Sequence, residues 1–374
     1  MNILIATEFF PANELEITGG IESRAYNLAK GLSKKNNVLV IASKQPGKKE
    51  QESIGNIKIV RIGKDYPYTS TGHIFKRICF GLCLLFKIPG IIKKNKIDAA
   101  DFESFFTYPA ALVSKIFLKK TFMTYHEVWI NNWEKNTKTK LGLLGEIAEK
   151  IILFKSVVFG VKIIAVSEFT KKKLINLSIH EKNIFVVPNG IWLSEFNKPD
   201  IKKFREKTVC FAGRLLEHKR VQDLIIAASI LKVKCIIIGD GPYKEELILL
   251  AKKTGCNVVF KGFLKREELI EIIKQSHILC HPGTVEGFGI ILIEAMACKT
   301  PYVCSDIDVF IEVTQNGIGG LIFEQKNPDS LAKKLKEILN NDNLYKKKVK
   351  ESYELAKKYD WNKIIEKIEE IYQK

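Results

Sequence analysis

Short runs of consecutive apolar residues alternate along the first half of the chain with longer segments whose apolar residues recur every three or four positions. The short runs predict strands, and the longer segments predict helices. The predicted strands are 3–6, 38–41, 57–61, 121–125 and 162–166, and the predicted helices are 22–35, 107–117 and 168–176. This alternation is typical of α/β proteins and predicts a parallel sheet covered by helices.

A polar segment separates this half from a second one of the same kind. After Asn189 and Gly190 the chain is polar from 195 to 207 and contains Pro199, which is typical of a domain boundary. The second set of predicted strands is 208–212, 234–238, 257–260, 278–281 and 302–304, and the helices between them are 221–231, 244–253, 265–275 and 290–297. We therefore expect two doubly wound units with a cleft between them, where ligands bind at the carboxyl ends of the strands.

The length of 374 residues suits two domains, and a chain this long buries enough surface to fold without disulfides or a structural metal. We place the domains at 1–190 and 191–345, followed by C-terminal helices at 346–374. The segment 327–374 is predicted to form Lys- and Glu-rich helices that are interrupted near 359–362. No two of the eight cysteines have C-x-x-C spacing, and most stand in apolar surroundings. Buried, reduced thiols are expected.

Composition and charge narrow the classes of function. With 46% hydrophobic and 27% charged residues, the chain is neither disordered nor collagen-like. The net charge is +18, and residues 1–190 carry +13 of it, with 29 basic and 16 acidic residues. Such a surface attracts nucleic acid, anionic lipid or an acidic substrate, although a lysine-rich surface also simply keeps a protein soluble.

The first half contains no segment that is predicted to cross a membrane. The chain starts directly with a predicted strand and shows no signal-peptide pattern, so we expect a cytoplasmic protein. The most apolar stretch, 78–86, is too short to cross a bilayer. The wider segment 73–96 mixes apolar residues with basic ones, which fits a helix lying in a membrane interface or a core helix packed on a sheet.

The first candidate site follows the first strand of the second half. Gly213 and Arg214 end that strand, and Lys219 stands five residues later, just before a predicted helix. Arg214 offers a forked pair of donors, Lys219 a compact charge, and the helix amides a positive potential. This combination suits a diphosphate, whereas basic residues at turns are otherwise usually just solvated.

A glycine-rich loop, 281–289, forms the second candidate site. Its glycines, including Gly289, let the backbone approach a ligand, and the amides of Phe288, Gly289 and Ile290 stand at a helix start, where they can face a phosphate or a sugar. Glu286 lies in the loop, and Glu294 interrupts an apolar helix. A carboxylate there needs hydrogen-bond donors, for which ribose hydroxyls are suitable. The alternative is a helix-start charge at Glu286 and a solvent-facing Glu294.

Together these motifs resemble a large retaining glycosyltransferase family with the GT-B fold, the glycogen-synthase-like "glycosyl transferases group 1" type of family four. The two glutamates eight residues apart, with Gly-Arg-x4-Lys upstream, are specific, and the resemblance covers nearly the whole chain. The matching stretches are GGIESRAYNLAKGL (19–32), YHE (125–127), AVSEFTKKKL (165–174), VVPNGI (186–191), FAGRLLEHK (211–219), IIIGDGPYKEEL (236–247), VVFKGFL (258–264) and HPGTVEGFGIILIEAMACKTPYV (281–303).

The resemblance implies two Rossmann-like domains facing across a cleft, the first on the acceptor side and the second on the donor side. It implies that the tail 346–374 packs back toward the first domain. The expected activity is retaining transfer of a sugar from a nucleoside-diphosphate sugar to a hydroxyl of a glycan or lipid-linked acceptor, in cell-surface polysaccharide or glycolipid synthesis. A UDP- or GDP-sugar is the expected donor, and no cofactor or metal is expected.

The resemblance also assigns roles to individual residues. The expected donor diphosphate contacts are Arg214, Lys219, Gly20, Gly289 and Ile290. The expected contacts to donor sugar and ribose are Glu286, Phe288 and Glu294, and Gly262 and Phe263 are expected near the base. The catalytic candidates are His126 and Glu286, and the acceptor-side candidates are Gly19, Glu127 and Trp129. We expect Glu286 to position the donor sugar rather than to act as a nucleophile.

Several positions depart from the family pattern. Glu127 stands where Asp is frequent, Arg220 and Lys299 stand where Gly is usual, and the segment before Glu312 lacks the usual Gly-Gly. None of these changes removes a diphosphate or ribose contact. Acceptor specificity is expected in the loops 66–73 and 128–140, where the resemblance is poorest and where Trp129 and Trp133 can stack on a sugar or simply pack.

Two further motifs carry little weight. Asp306 and Asp308 imitate a metal-binding D-x-D but follow a strand of the second domain, so we interpret them as incidental. Gly239 and Gly241 form only part of a dinucleotide fingerprint, which supports NAD binding weakly. The alternatives to a transferase are a nucleotide-sugar-binding protein and an epimerase of the same fold. Charge alone suggests a nucleic-acid partner, and none is expected because no recognised module or aromatic–basic interleave is present. An anionic membrane surface is the other partner that the basic first half suggests, with the protein peripheral at the inner face.

Overall fold

The computed structural model describes residues 1–13, 17, 19–68, 72–131, 133–134, 142–197 and 201–374. They divide into two compact units, one made of Met1–Pro188 with Trp361–Lys374 and the other of Asn189–Asp360. The tail therefore divides at 360/361 rather than acting as one segment from 346. Only its last helix joins the first unit.

The first unit is built on an eight-stranded sheet. Its strands are β1 Asn2–Ala6, β2 Asn37–Ser43, β3 Gln51–Ile54, β4 Ile57–Ile62, β5 Ala99–Phe102, β6 Lys120–Tyr125, β7 Lys162–Ala165 and β8 Ile184–Val186, in the order β3-β4-β2-β1-β5-β6-β7-β8. Every neighbouring pair is parallel except β3 and β4, which form a hairpin. Residues 3–6 of β1 are fully buried, as a central strand covered on both faces requires.

Helices cover both faces of this sheet. They are α1 Gly20–Leu32, α2 Ile74–Asn95, α3 Tyr108–Phe117, α4 Gly142–Val158, α5 Glu168–Asn176 and the C-terminal α14 Trp361–Gln373. The crossovers β4–α2–β5, β5–α3–β6 and β6–α4–β7 all advance the same way across the sheet, and right-handed crossovers place α2, α3 and α4 on one face. Helix α14 packs against α1.

The second unit is built on a six-stranded, all-parallel sheet. Its strands are β9 Thr208–Ala212, β10 Lys234–Ile238, β11 Val258–Gly262, β12 Ile278–His281, β13 Tyr302–Ser305 and β14 Gly320–Phe323, in the order β11-β10-β9-β12-β13-β14. Its helices are α6 Leu193–Phe196, α7 Val221–Leu231, α8 Lys244–Thr254, α9 Arg266–Gln275, α10 Ile290–Ala297, α11 Asp308–Val313, α12 Pro328–Leu339 and α13 Asp342–Ala356. The strand order reverses between β9 and β12, which makes their carboxyl ends the expected ligand crevice.

Helix α13 explains why the predicted boundary at 346 was too early. It packs against α10, and the amide of Gly319 donates to Glu351 at 3.2 Å. At Gly319 a β-carbon would lie 2.5 Å from the Cα atom of Ser352, so the chain and the helix meet at backbone distance. These contacts keep α13 with the second unit.

The two Rossmann-like α/β units confirm the predicted fold class. All eight cysteines are free thiols, but Cys79, Cys83 and Cys256 are only half-buried, unlike the other five. Among the residues that the structure describes, no helix is both long enough and apolar enough to cross a bilayer.

Candidate functional site

The loops that follow β9 and β12 meet at the point where the strand order of the second unit reverses. The backbone carbonyl of His218, in the loop after β9, accepts from the amide of Thr284 at 2.9 Å, in the loop after β12. The main chain itself therefore joins the two predicted donor-site segments.

The end of β10 and the loop that follows it contact the loop after β9. The amide of Gly213 donates to Ile238 and that of Leu215 to Asp240, both at 3.0 Å. Gly239 has φ +120°, and a β-carbon there would lie 2.0 Å from the carbonyl oxygen of Gly213. This glycine, which belongs to the incomplete dinucleotide fingerprint, allows two loops to pack at backbone distance.

Glu286 is the centre of the candidate site. Its carboxylate forms an ion pair with Lys219, and its Oε2 atom lies 3.1 Å from Nε2 of His281. Burial by itself would raise the pKa of Glu286, but Lys219 and the hydrogen bond from His281 lower it well below the ordinary value. Glu286 is thus a fixed carboxylate anion, which suits the positioning of sugar hydroxyls.

His281 sets the orientation of that carboxylate, and the sequence reasoning gave it no role. The amide of Gly283 points to Nδ1 of His281 at 3.4 Å, which leaves Nε2 to donate to Glu286. Burial lowers the pKa of His281, so the ring is a neutral donor. The signal was present in the His-Pro-Gly that precedes the glycine loop.

Glu294 lies in a second ion-pair group. Its Oε1 atom pairs with Arg266, which also lies 3.4 Å from Glu195 and 5.4 Å from the ring centroid of Phe196. Glu294 is buried, so the alternative of a solvent-facing Glu294 is wrong. Arg266 and Glu195 escaped sequence reasoning because they lie 28 and 99 positions from Glu294 along the chain.

The start of α10 offers backbone donors. Gly289 caps the helix with φ +86°, and within the described chain no side chain caps α10. The first amides of α10, beginning with Ile290, can therefore face an anion. The side chain of Phe288 is buried edge-on against Tyr359, with ring centroids 5.9 Å apart, so Phe288 can offer a ligand only its backbone.

The remaining second-unit candidates surround the same strand ends. Arg214 is exposed just after β9. Gly262 ends β11 with φ +65°, and its carbonyl accepts from the amide of Gly239 at 2.7 Å. Phe263, which follows, exposes 68% of its surface, as an aromatic side chain that stacks on a base would.

In the D-x-D motif, Asp306 accepts from the amide of Gln325 at 3.0 Å.

The first unit holds the other catalytic candidate, His126. It follows β6, and its Nε2 atom lies 2.9 Å from Oε2 of Glu103, which follows β5. Arg24 of α1 is buried with Glu103, its Nε atom 3.6 Å from the same oxygen. Because a carboxylate only accepts, Nε2 of His126 is the donor in this contact. His126 is therefore a partly exposed, oriented side chain at the end of β6, and its catalytic role stays a prediction.

A second buried carboxylate lies behind this group. Asp101 accepts from the hydroxyl of Tyr372 at 2.5 Å and from that of Thr124 at 2.8 Å. Burial, with the nearby charge of Glu103, raises the pKa of Asp101 to about 7. This hydrogen bond ties the C-terminal helix to β5, the strand that carries Asp101 and that Glu103 follows.

The acceptor-side candidates form two groups. At the start of α1, a β-carbon on Gly19 would lie 2.2 Å from the hydroxyl of Tyr68, and Gly20 is exposed. After β6, Nε1 of Trp129 donates to Glu127 at 3.2 Å, and the ring contacts Trp133 edge-on at 5.0 Å.

Part of the predicted specificity loops can be placed. Trp133 donates to Glu149 at 2.6 Å, so this tryptophan is held by α4. Burial raises the pKa of Glu149 to about 7, although the two hydrogen bonds from tryptophans oppose that change. Within the loops 66–73 and 128–140, positions 69–71, 132 and 135–140 lie outside the described residues.

Comparison with known proteins identifies the family. The family described as Glycosyl transferases group 1 matches residues 194–358, and that described as Glycosyltransferase Family 4 matches residues 18–195. The chain is a group 1 glycosyltransferase. The predicted family and enzyme class are therefore confirmed.

Related sequences support this glycosyltransferase assignment. An uncharacterized glycosyltransferase of Methanocaldococcus jannaschii is 25% identical across 100% of this chain and 98% of its own length. Another from that organism is 28% identical but matches over only 59% of its length. The phosphatidyl-myo-inositol mannosyltransferase of Mycobacterium leprae is 28% identical over 50% of this chain and 52% of its own. The chain thus spans little more than half of two of these relatives.

Solved structures confirm the GT-B fold of this glycosyltransferase. Sucrose-phosphate synthase from Thermosynechococcus elongatus has a TM-score of 0.80 at 17% identity, covering 100% of this chain and 98% of that one. HepE of Anabaena, in complex with UDP and glucose, has a TM-score of 0.74 at 18% identity, covering 99% and 98%.

Two of the positions where this glycosyltransferase departs from the family pattern have a left-handed backbone. Arg220 has φ +54° and Lys299 has φ +55°, both in the left-handed region that favours glycine. Arg220 is held there by paired hydrogen bonds to Asp223, at 2.9 and 2.7 Å. Lys299 lies with Nζ 5.4 Å from the ring centroid of Tyr353.

Proposed function

We propose that this glycosyltransferase moves a sugar, with retention of anomeric configuration, from a nucleoside-diphosphate sugar to a hydroxyl of a glycan or lipid-linked acceptor. The role proposed for it is in cell-surface polysaccharide or glycolipid synthesis. The observation that carries the proposal is the Glu286 carboxylate, fixed by Lys219 and His281 between two strand ends and beside the uncapped start of α10.

The proposed donor site needs little covalent chemistry. The bond from the anomeric carbon to the diphosphate breaks, and the diphosphate leaves with its negative charge stabilised by Arg214, Lys219 and the α10 amides. The acceptor oxygen bonds to the same face of that carbon, and its proton passes to a diphosphate oxygen. Glu286 accepts hydrogen bonds from sugar hydroxyls in this scheme and forms no bond to carbon.

The donor is proposed to be a UDP- or GDP-sugar. The HepE structure holds UDP, which supports a nucleoside diphosphate. The M. leprae relative is named a mannosyltransferase, which supports transfer of a sugar. Phe263, exposed after β11, is proposed to stack on that base, and Glu294 with Arg266 to hold the ribose.

The acceptor side is proposed to lie in the first unit, with His126 at the reacting sugar and Gly19, Glu127 and Trp129 toward the acceptor. A peripheral position at the inner face of the cell membrane is part of this proposal. The net charge of +13 in residues 1–190 supports it, because anionic lipids attract basic surfaces by about 1 kcal/mol for each nearby Lys or Arg. The M. leprae relative is named for phosphatidyl-myo-inositol, a phospholipid, and this name also supports a position at the membrane.

A thermal-shift panel with UDP, GDP, ADP, dTDP and CMP at matched ionic strength tests the donor assignment. A ligand at about 100 times its dissociation constant stabilises a protein by ~2.7 kcal/mol, which a melting curve resolves. We expect one diphosphate to raise Tm and Lys219→Met to abolish that rise. If none of the five nucleotides changes Tm, the proposed donor site is wrong; release of an epimer without an acceptor would identify an epimerase instead.

A further inference from the structure

The outward side of α2, α3 and α4 is apolar. These helices lie side by side on one face of the first unit's sheet, with α3 packed against both neighbours. Large apolar side chains that point away from the sheet form what we call the outer helical face: Phe75, Leu82 and Phe86 of α2, Ile116 of α3, and Leu144, Ile151 and Phe154 of α4. Phe75, Phe86 and Phe154 expose 84%, 80% and 71% of their surfaces.

This exposure is not the ordinary scatter of surface apolar residues. The opposite side of α2 already fills the core with Phe80, Leu84 and Ile88, and Leu153 of α4 does the same. A surface helix of a soluble protein presents polar residues outward, so apolar residues on both sides are unusual. Exposed apolar patches that extend over several helices mark interaction surfaces.

The charges on the same helices are almost all positive. Helix α2 contains no Asp or Glu, and it ends with the exposed Lys93 and Lys94. On α4, Lys150 and Lys155 are exposed beside the apolar stripe. The two acidic residues of α4 are Glu146, paired with Lys150 at 2.7 Å, and the buried Glu149.

We propose that the outer helical face docks on an anionic lipid bilayer. The apolar side chains enter the boundary between headgroups and acyl chains, and the lysines of α2 and α4 pair with lipid phosphates. This inference rests on the peripheral membrane position in the proposed function and names the surface responsible. It adds α3 and α4 to the segment 73–96, which the sequence alone left as either an interfacial or a core helix.

The charge pattern chooses a bilayer over a second copy of the chain. In a twofold dimer the same patch, with its excess of lysines, occurs on both partners, so two positively charged surfaces would meet. Like charges across an interface are repulsive, whereas anionic headgroups neutralise them. Exposed lysines beside exposed apolar side chains thus match a negatively charged surface with an apolar interior.

Co-sedimentation of the full chain with vesicles tests the inference. We expect binding to phosphatidylcholine vesicles that contain about one-third phosphatidylglycerol, and weaker binding to phosphatidylcholine alone. The variant Phe86→Ser/Phe154→Ser is expected to bind the anionic vesicles at least about tenfold more weakly. Lys93→Ala/Lys94→Ala is expected to reduce binding to anionic vesicles and to leave the phosphatidylcholine value unchanged.

Leu144 and Leu249 supply a matched pair. They expose 64% and 65% of their surfaces, but Leu249 lies on α8 of the second unit. Leu144→Ser should weaken vesicle binding, and Leu249→Ser should not. Equal effects of the two variants, wild-type binding by the double phenylalanine variant, or no vesicle binding by the wild type would each overturn the inference.

Two readouts separate this inference from the proposed function. Sedimentation velocity of the wild type and the double phenylalanine variant reports a second copy as the occupant: a dimer that dissociates in the variant overturns membrane docking. The nucleotide thermal shift needs no membrane and should be the same in both proteins. If the shift persists while vesicle binding is absent, the donor assignment stands and the membrane surface is wrong.

Discussion

The Nε2 atom of His126 lies 2.9 Å from the Oε2 atom of Glu103, although 22 residues separate the two side chains along the sequence. The link exists because β5 and β6 are parallel neighbours, so residues that follow them meet at one sheet edge. Glu103 is fully buried and His126 partly exposed, so the carboxylate orients the imidazole from behind. In the proposed reaction Glu103 is a positioning residue.

Glu103→Gln is therefore expected to lower kcat by about 100-fold while leaving nucleotide binding unchanged, because general acid–base and oriented-imidazole effects are of that size. His126→Ala should have a similar effect, and the double variant should be little worse than either single one. Steady-state kinetics with the thermal shift as the binding measure provides the test. Additive losses in the double variant would show that Glu103 acts independently of His126.

Glu286→Gln should weaken nucleotide-sugar binding by about tenfold or more, since it removes the charged partner of Lys219 and leaves His281 only a neutral amide oxygen as acceptor. Glu217→Gln is the matched control, because Glu217 lies in the same loop as Lys219 but is exposed. Titration calorimetry with the donor found by thermal shift measures both variants. Equal affinities for Glu286→Gln and Glu217→Gln would remove Glu286 from the donor site.

The pKa of Asp101 predicts a pH-dependent stability. Its folded pKa is about 7 against an ordinary 3.8, so the folded protein holds this proton more tightly than the unfolded chain. The free energy of unfolding should fall as pH rises between those two values, and the cost is complete above the folded pKa. Asp101→Asn removes the charge, so we expect it to raise Tm by several degrees at pH 8 and not at pH 4.

The groups around Asp101 are the hydroxyls of Tyr372 and Thr124 and the charged side chains of Glu103 and Arg24. An Asn at position 101 retains an acceptor oxygen for a hydroxyl donor. Asp65→Asn is the control, since Asp65 is exposed and should leave the pH dependence unchanged. Calorimetric scans at both pH values compare the three proteins. A pH profile that is the same in Asp101→Asn and in wild type would show that another carboxylate is responsible.

Lys299→Gly should stabilise the protein. Lys299 is left-handed, and glycine at this position removes the cost of that conformation, roughly 1–2 kcal/mol. Glycine also makes the unfolded chain more flexible, which lowers the free energy of unfolding by about 0.5–1 kcal/mol. We expect a net gain of about 0.5–1 kcal/mol in urea unfolding. Lys299→Ala keeps the backbone cost and should bring no gain. Arg220→Gly should not stabilise either, because it loses the two hydrogen bonds to Asp223.

Local patterns predicted much of the fold. Buried parallel strands such as β1 and β10 are continuous apolar runs, which sequence identifies directly. Strand β5 was missed because its sequence, AADF, includes a carboxylate that is stable only with the hydroxyls of Thr124 and Tyr372. Helix α4 was missed because its outward side is apolar, so it lacks the polar periodicity that marks a surface helix.

In the candidate site, too, some residues could be predicted from the sequence and others could not. Residues within one short segment, such as Glu286 and Gly289, were predicted because motif spacing reveals them. His281 lies in such a segment too, but only the structure gives it a partner. Glu103, Arg24 and Arg266 come from distant elements, and only strand order brings them to His126 and Glu294. Sequence spacing carries no information about such long-range pairs.

Gly239→Ala should disrupt the loop junction that supports the donor site. The new β-carbon would lie 2.0 Å from the Gly213 carbonyl oxygen, and φ is +120°, so the loops after β9 and β10 must separate. We expect a loss of about 2 kcal/mol or more in the free energy of unfolding, together with loss of the nucleotide-induced rise in Tm.

Gly255→Ala is the control for backbone conformation alone. Gly255 has φ +65°, and a β-carbon there meets nothing within 4 Å. Its cost should be about 1 kcal/mol, and the nucleotide response should be unchanged. Urea unfolding and the thermal-shift panel measure both variants. If Gly239→Ala and Gly255→Ala lose the same stability and both keep the nucleotide response, the contact between Gly239 and Gly213 does not support the donor site.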